Sequence, residues 1–195
     1  KTLQPTPEKE HDVNDLNGAN ATEQELITKM NTDLRDAILS QPALPEEIVA
    51  NARGELDSKL TDSDAQKLKR LYLTGCGDSY FAGVATELAF MKYSGVDAQP
   101  VEALNFSRYL ADHVRDGGGL VSVSNSGRVS RTIEATLRAN GKARTWAVTD
   151  NSDSDLATAA DSILSPQIPP MPSGGAGTRS YLASLLTLYC FAIQL

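Results

Sequence analysis

Residues 120–141 read LVSVSNSGRVSRTIEATLRANG, and the reading of this stretch decides the fold. Leu120, Val121 and Val123 form a short apolar run rich in β-branched residues, the signature of a buried strand. The run stops at the polar loop Ser124-Asn125-Ser126-Gly127. Apolar side chains return at Val129, Ile133 and Leu137, the spacing of one helical face, and Gly141 suits the left-handed position that closes a helix. A strand that hands over to a helix through hydroxyls and an amide is suited to an anion. The first helical N–H groups have no partner inside the helix, the helix dipole adds partial positive charge, and Ser hydroxyls donate as well. The same residues have an ordinary use, since Ser and Asn are common helix caps and Ser-Gly loops punctuate α/β chains. Phosphate cradle and plain cap stand side by side at this point.

Working outward, Leu71-Tyr72-Leu73 predicts a strand. Gly75-Cys76-Gly77-Asp78-Ser79 follows it, then a helix carrying Ala82, Val84, Ala85, Leu88, Ala89 and Met91 as far as Gly95. Residues 99–102 predict a weaker second strand, 105–114 a helix, and Gly117 to Gly119 a turn into the 120–123 strand. Downstream, 143–149 predicts a fourth strand, 155–160 a short helix and 162–164 a fifth strand. Residues 166–177 form a Pro/Gly-rich loop whose composition suits a lid, and 181–193 a long apolar helix. Strands separated by helices imply a parallel sheet with right-handed crossovers, here a three-layer αβα sandwich of five strands. Ligands of such sheets bind beyond the carboxyl ends of strands, near a reversal of strand order. The 75–79 and 124–127 loops both lie at such ends.

Ahead of this unit, residues 1–21 are polar and acidic, without hydrophobic period, and predict a tail or arm. Thr22-Glu23-Gln24-Glu25 has capping-box spacing, and Leu26, Ile27, Met30, Leu34, Ala37 and Ile38 make an apolar stripe ended by Gln41-Pro42. A second helix from Pro45 presents Ile48, Val49, Ala52, Leu56 and Leu60 on one side. The expected organisation is a 1–21 arm, a 22–67 helical extension and a 68–195 α/β domain.

The chain has 195 residues, 41% of them hydrophobic, enough for a sizeable core. Its formal net charge of −7 argues against nucleic acid or an anionic membrane as partner, so a phosphate would be held by local groups. The two cysteines, Cys76 and Cys190, match no metal spacing and suit a reducing, cytoplasmic compartment. The sequence contains no apolar run long enough to span a bilayer and no signal-peptide pattern. It opens without Met and ends within an apolar helical pattern, as a segment of a longer protein would.

Three look-alikes fail on their residues. Gly75-Cys76-Gly77 follows a strand as a dinucleotide fingerprint does, but the third glycine position holds Tyr80. Gly174-Gly175-Ala176-Gly177-Thr178-Arg179-Ser180 approaches a P-loop without its lysine. His113, among Asp112, Val114 and Arg115, reads as a solvated helix residue rather than an imidazole base.

Taken in order, Gly75-Cys76-Gly77-Asp78-Ser79-Tyr80, Ser124-Asn125-Ser126-Gly127, Ala147-Val148-Thr149-Asp150-Asn151 with Ser154-Asp155-Leu156-Ala157, and Gly177-Thr178-Arg179-Ser180-Tyr181 resemble a sugar isomerase (SIS) domain. The likeness covers residues 68–195 and extends to the isomerase half of glucosamine–fructose-6-phosphate aminotransferase and related double-SIS phosphosugar isomerases and deaminases. Ile38-Leu39-Ser40-Gln41-Pro42 resembles the helix that precedes that half. The resemblance implies that Ser124, Asn125 and Ser126 grip a sugar phosphate. It also implies that Gly77, Asp78 and Ser79 approach the sugar, and that Gly177 and Thr178 border the same pocket. It implies a hexose or hexosamine 6-phosphate ligand, a homodimer and the first half of a double-SIS protein, with no cofactor, metal, nucleic acid or membrane.

The departures matter as much. Arg128-Val129 replaces the family's Glu-Thr, which removes a phosphate hydroxyl that Ser130, shifted by one residue, can substitute. Asn125 stands for Gln, Gly177 for Ser, and Asp78 for Thr. A carboxylate at 78 suits a sugar hydroxyl or amine and repels a nearby phosphate. No base for aldose–ketose exchange is identifiable, because Glu87 and Glu102 read as surface or capping residues. The favoured reading is an enzyme of aldose–ketose isomerisation or amino-sugar-phosphate isomerisation and deamination. The alternative is a non-catalytic sugar-phosphate-sensing or dimerisation module.

Overall fold

The structure, a computed structural model, describes residues 22–170 and 177–195. The 1–21 arm and half of the lid reading, at 171–176, lie outside the described residues. Helices α1 (Glu23–Ser40), α2 (Pro45–Lys59) and α3 (Asp62–Lys67) precede β1 (Arg70–Gly75), α4 (Asp78–Tyr93) and β2 (Asp97–Glu102). A single turn, α5 (Ala103–Asn105), runs on through a π turn (Phe106–Leu110) and a 3₁₀ turn (Ala111–His113) to β3 (Gly118–Val123). The cradle helix α6 (Ser130–Ala139), β4 (Arg144–Val148), α7 (Asp155–Ala159), β5 (Ser162–Leu164) and α8 (Thr178–Gln194) complete the chain.

The five strands pair in parallel in the order β2-β1-β3-β4-β5, the sheet expected of the alternating pattern. Alternation along each strand divides the core. Leu71, Leu73, Val121, Val123, Trp146 and Val148 pack on one face against Leu56, Phe90, Leu188 and Phe191 of α2, α4 and α8. The Phe191 ring meets Trp146 and Phe90 edge-on, with centroids 5.2 and 5.9 Å away. Tyr72 and Leu120 face the other way, toward Phe106, Ala135 and Ala139. Each fully buried side chain of this size contributes roughly 1.5–3 kcal/mol.

Helix faces differ from the sequence pattern. In α6 the buried residues are Thr132, Ala135, Thr136 and Ala139, whereas Leu137 is 56% exposed and Val129 lies outside the helix as its N-cap. In α4 the buried set is Ala82, Gly83, Thr86, Ala89 and Phe90, so Val84, Leu88 and Met91 point outward. Small residues let these helices approach the strands closely. Of the α1 stripe only Ala37 is buried. Gly118 and Gly119 pair within β3 instead of turning ahead of it. The predicted 105–114 helix is the α–π–3₁₀ succession from Ala103. The sequence reading also missed α3, although Thr61 and Asp64 form a capping box. No helix among the described residues is long and apolar enough to cross a membrane.

Candidate functional site

The strand order reverses between β1 and β3. From β1 the chain enters α4 on one face of the sheet, and from β3 it enters α6 on the other. Both helices therefore begin at the crevice above the carboxyl ends of the two central strands, where such folds place ligands.

The 124–127 loop is fastened by its carbonyls. The Gly127 N–H donates to the Ser124 carbonyl at 3.0 Å, and the Asn125 carbonyl accepts both the Thr149 hydroxyl and the Asp150 N–H at 3.2 Å. The Asn151 side-chain amide donates to the Ser126 carbonyl, and the Leu156 N–H to the Gly127 carbonyl, each at 3.2 Å. Four successive acceptors are thus occupied. Two of the four donors are not: no partner within the described residues takes the N–H of Asn125 or Ser126. Gly127 makes this path possible with φ of +64°, and a Cβ there would run into the Ser154 side chain. Ser154 is itself held by capping α7 through the Ala157 N–H, 3.2 Å away.

The hydroxyls are not spent on capping α6. Ser126 accepts the Arg128 N–H at 3.3 Å within the loop, and α6 starts after Val129 with no side-chain cap. Ser130 is exposed at its first position, whereas Ser124 is buried at the end of β3, its N–H on the Val148 carbonyl at 3.0 Å. Of the two uses this stretch left open, capping by Ser or Asn is the one the fold does not make.

Across the crevice, α4 also starts without a side-chain cap, from Gly77 at φ of +56°. Asp78 is exposed at its first position and Ser79 half-buried. The start of α8, at Gly177, is uncapped as well, and a Cβ there would sit 3.8 Å from the Asp78 carboxylate. Asp78 and Thr178 share a cleft of about 540 Å³ with Gln41, Phe81, Tyr181 and Leu182. In it the Thr178 hydroxyl oxygen is buried with no hydrogen-bond partner among the described residues. All the predicted site residues therefore gather at one edge of the sheet. The apolar cleft residues and the fasteners of the loop were not among them, since helix-to-helix proximity leaves no local signal.

Glu102 is committed elsewhere. One oxygen caps α5 through the N–H groups of Leu104 and Asn105, at 2.9 and 3.4 Å, and the other accepts the Cys76 thiol at 3.5 Å. Burial, followed by the Glu102 carboxylate, pushes the Cys76 thiol above its ordinary range despite an opposing bond from Thr132. Such a thiol stays protonated and is a poor nucleophile near neutral pH. A larger cleft, of about 620 Å³, opens at the opposite edge among Arg70, Asp97, His113 and Arg115. Arg70 and Asp97 are paired to each other there, and none of the predicted site residues lines it. Volume favours that cleft, but the uncapped helix starts favour the carboxyl edge.

Comparison with known proteins places the fold. The sequence profile of the SIS domain matches residues 66–194. Glutamine–fructose-6-phosphate aminotransferase [isomerizing] of Clostridium acetobutylicum is 28% identical over 166 residues, which are 82% of this chain and 25% of that protein. The chain spans about a quarter of the length of such curated relatives. The solved C-terminal domain of glucosamine-fructose-6-phosphate aminotransferase from Francisella tularensis has a TM-score of 0.67 at 23% identity, covering 81% of this chain and 45% of that one. The Vibrio vulnificus NanR protein complexed with ManNAc-6P has a TM-score of 0.55 at 18% identity, covering 86% and 60%. These two structures bear on the fold alone.

Proposed function

This chain belongs to the SIS-domain family, and on that premise we propose that its carboxyl-edge crevice binds a phosphorylated sugar of the hexose or hexosamine 6-phosphate class. One observation carries the reading: the 124–127 loop has its four carbonyls occupied while the N–H groups of Asn125 and Ser126 stay open, just ahead of an uncapped helix. The phosphate sits on the N–H groups of Asn125, Ser126 and the first turn of α6, with the Ser126 and Ser130 hydroxyls and the Asn125 amide around it and Ser124 at the base. The sugar extends toward Gly77, Asp78 and Ser79, with Gly177 and Thr178 beyond.

The reaction proposed is aldose–ketose isomerisation, or isomerisation with deamination of an amino-sugar phosphate. It needs a base that moves a proton between adjacent carbons, a role assigned here to no residue. A specific observation supports the second reading, a phosphosugar-sensing module: Glu102, a carboxylate at the crevice, has both oxygens engaged. The free thiols Cys76 and Cys190 fit a reducing, cytoplasmic setting.

Thermal unfolding with fructose, glucosamine and glucose 6-phosphates and with inorganic phosphate tests the site. A ligand at a hundredfold excess over its dissociation constant stabilises the protein by about 2.7 kcal/mol. Wild type is expected to shift with at least one sugar phosphate, and Ser126→Ala to lose most of that shift. No shift with any ligand would sink the proposal. Turnover of the bound sugar in an isomerase and deaminase assay separates enzyme from sensor.

A homodimer belongs to the same proposal. Met30 and Ile38 of α1 and Phe81, Leu88 and Met91 of α4 are exposed, and clustered apolar side chains on helix faces mark interfaces. Sedimentation equilibrium is expected to return twice the chain mass; a monomer at every concentration tested removes this part.

A further inference from the structure

Asp78 puts a negative charge where an anion site would leave room. It is the first residue of α4, stands beside the start of α8, and neither helix has a side-chain cap. Among the described residues it pairs with no cation. The Thr178 hydroxyl, with no partner among the described residues, lies in the same cleft.

These facts divide the crevice in two. A carboxylate stands at the positive ends of two helices, so a ligand phosphate is repelled from that side. The 124–130 loop carries no carboxylate and keeps the N–H groups of Asn125 and Ser126 open, which leaves it to the phosphate. Neighbouring parallel strands lie about 4.8 Å apart, so the loops leaving β1 and β3 open within reach of one small ligand. An ionised carboxylate only accepts hydrogen bonds, and its strongest partner is a cationic donor. The Thr178 hydroxyl can donate or accept beside it.

Resting on the phosphosugar reading above, we propose that Asp78, with Thr178, sets the polarity and specificity of the site. The pair favours a sugar phosphate whose far end carries a protonated amine over its hydroxyl counterpart, and it excludes a ligand with a second anion at that end. The phosphate is thereby confined to the α6 start.

Titration calorimetry on the full chain tests this with glucosamine 6-phosphate, glucose 6-phosphate, fructose bisphosphate and inorganic phosphate, at a pH slightly below neutral that keeps the amine protonated. The carboxylate is worth one charged hydrogen bond, so wild type is expected to prefer glucosamine 6-phosphate about tenfold. Asp78→Asn is expected to bring that ratio to about one and to strengthen bisphosphate binding several-fold, again from one lost charge. Thr178→Val is expected to weaken the amino ligand while leaving inorganic phosphate unchanged. Asp78 is exposed, and retained inorganic-phosphate binding by Asp78→Asn shows that the variant is folded. A wild type that binds both hexose phosphates equally, or an Asp78→Asn that keeps the tenfold preference, overturns the Asp78 assignment and leaves the phosphate site standing. A wild type that binds none of the four overturns both.

Discussion

Two kinds of helix start coexist in this molecule. At α1, α3 and α7 the chain places Thr22, Thr61 and Ser154, and each side chain accepts an N–H of its own first turn. Glu25 and Asp64 close the first two into capping boxes, and the Thr22 bonds hold the Glu25 carboxyl below its ordinary range. At α4, α6 and α8 the N-caps are Gly77, Val129 and Gly177, and no side chain bonds the first turn. A missing cap costs about 1 kcal/mol. Ser126 and Ser130 stand on either side of the α6 start, so the local sequence did not lack candidates. The capped starts serve the fold. The starts of α4, α6 and α8 gather at the carboxyl edge of the sheet, where donors can be kept for something that is not the protein. Helix α2, also without a side-chain cap, opens instead on Pro45, which has no N–H to satisfy.

The most damaging way to break this contrast is at Gly127. Its φ of +64° and the Ser154 side chain at its back leave no room for a Cβ, yet its N–H and carbonyl hold the loop to Ser124 and Leu156. Gly127→Ala is expected to lose about 3 kcal/mol of stability in urea unfolding, through backbone strain and overpacking together. Sugar-phosphate binding is expected to vanish even where the variant is held folded. A variant of near wild-type stability that still binds would mean that the loop relaxes freely, and its open donors would then be no built feature.

Much of this was legible in the sequence. Short apolar runs at 71–73 and 120–123, each followed by a polar loop and a helix, suffice for a parallel sheet, because strand and helix periods are written locally. The helix faces were not legible, since α6 meets the sheet through small and hydroxyl side chains. The hydroxyl of Thr136 meets that of Ser122 at 2.7 Å in the buried interface, while Leu137 and Val129 point outward. A reading by hydrophobicity turns that helix around. At the site, the loops could be located but not interpreted, because Ser126 and Ser130 are equally good as caps and as ligands until their bonds are seen. Phe81 and Leu182, which wall the cleft beside Asp78 and Thr178, lie on helices far apart in sequence.

The gentlest test sharpens the contrast by pairing one hydroxyl from each kind of helix start. The Thr61 hydroxyl accepts the Asp64 N–H at 3.0 Å, and the Asp64 carboxylate in turn accepts the Thr61 N–H at 3.3 Å. Thr61→Ala is expected to cost about 1 kcal/mol, a fall of roughly 2–4 °C in melting temperature, with sugar-phosphate affinity unchanged. Ser130 starts α6 without capping it, so Ser130→Ala is expected to stay within about 0.5 kcal/mol of wild type in stability. The same variant is expected to weaken sugar-phosphate binding severalfold, through the loss of one hydrogen bond to a charged group. Equal losses of stability in the two variants would make Ser130 a cap after all, and the line between helix starts that serve the fold and starts that wait for a ligand would disappear at α6.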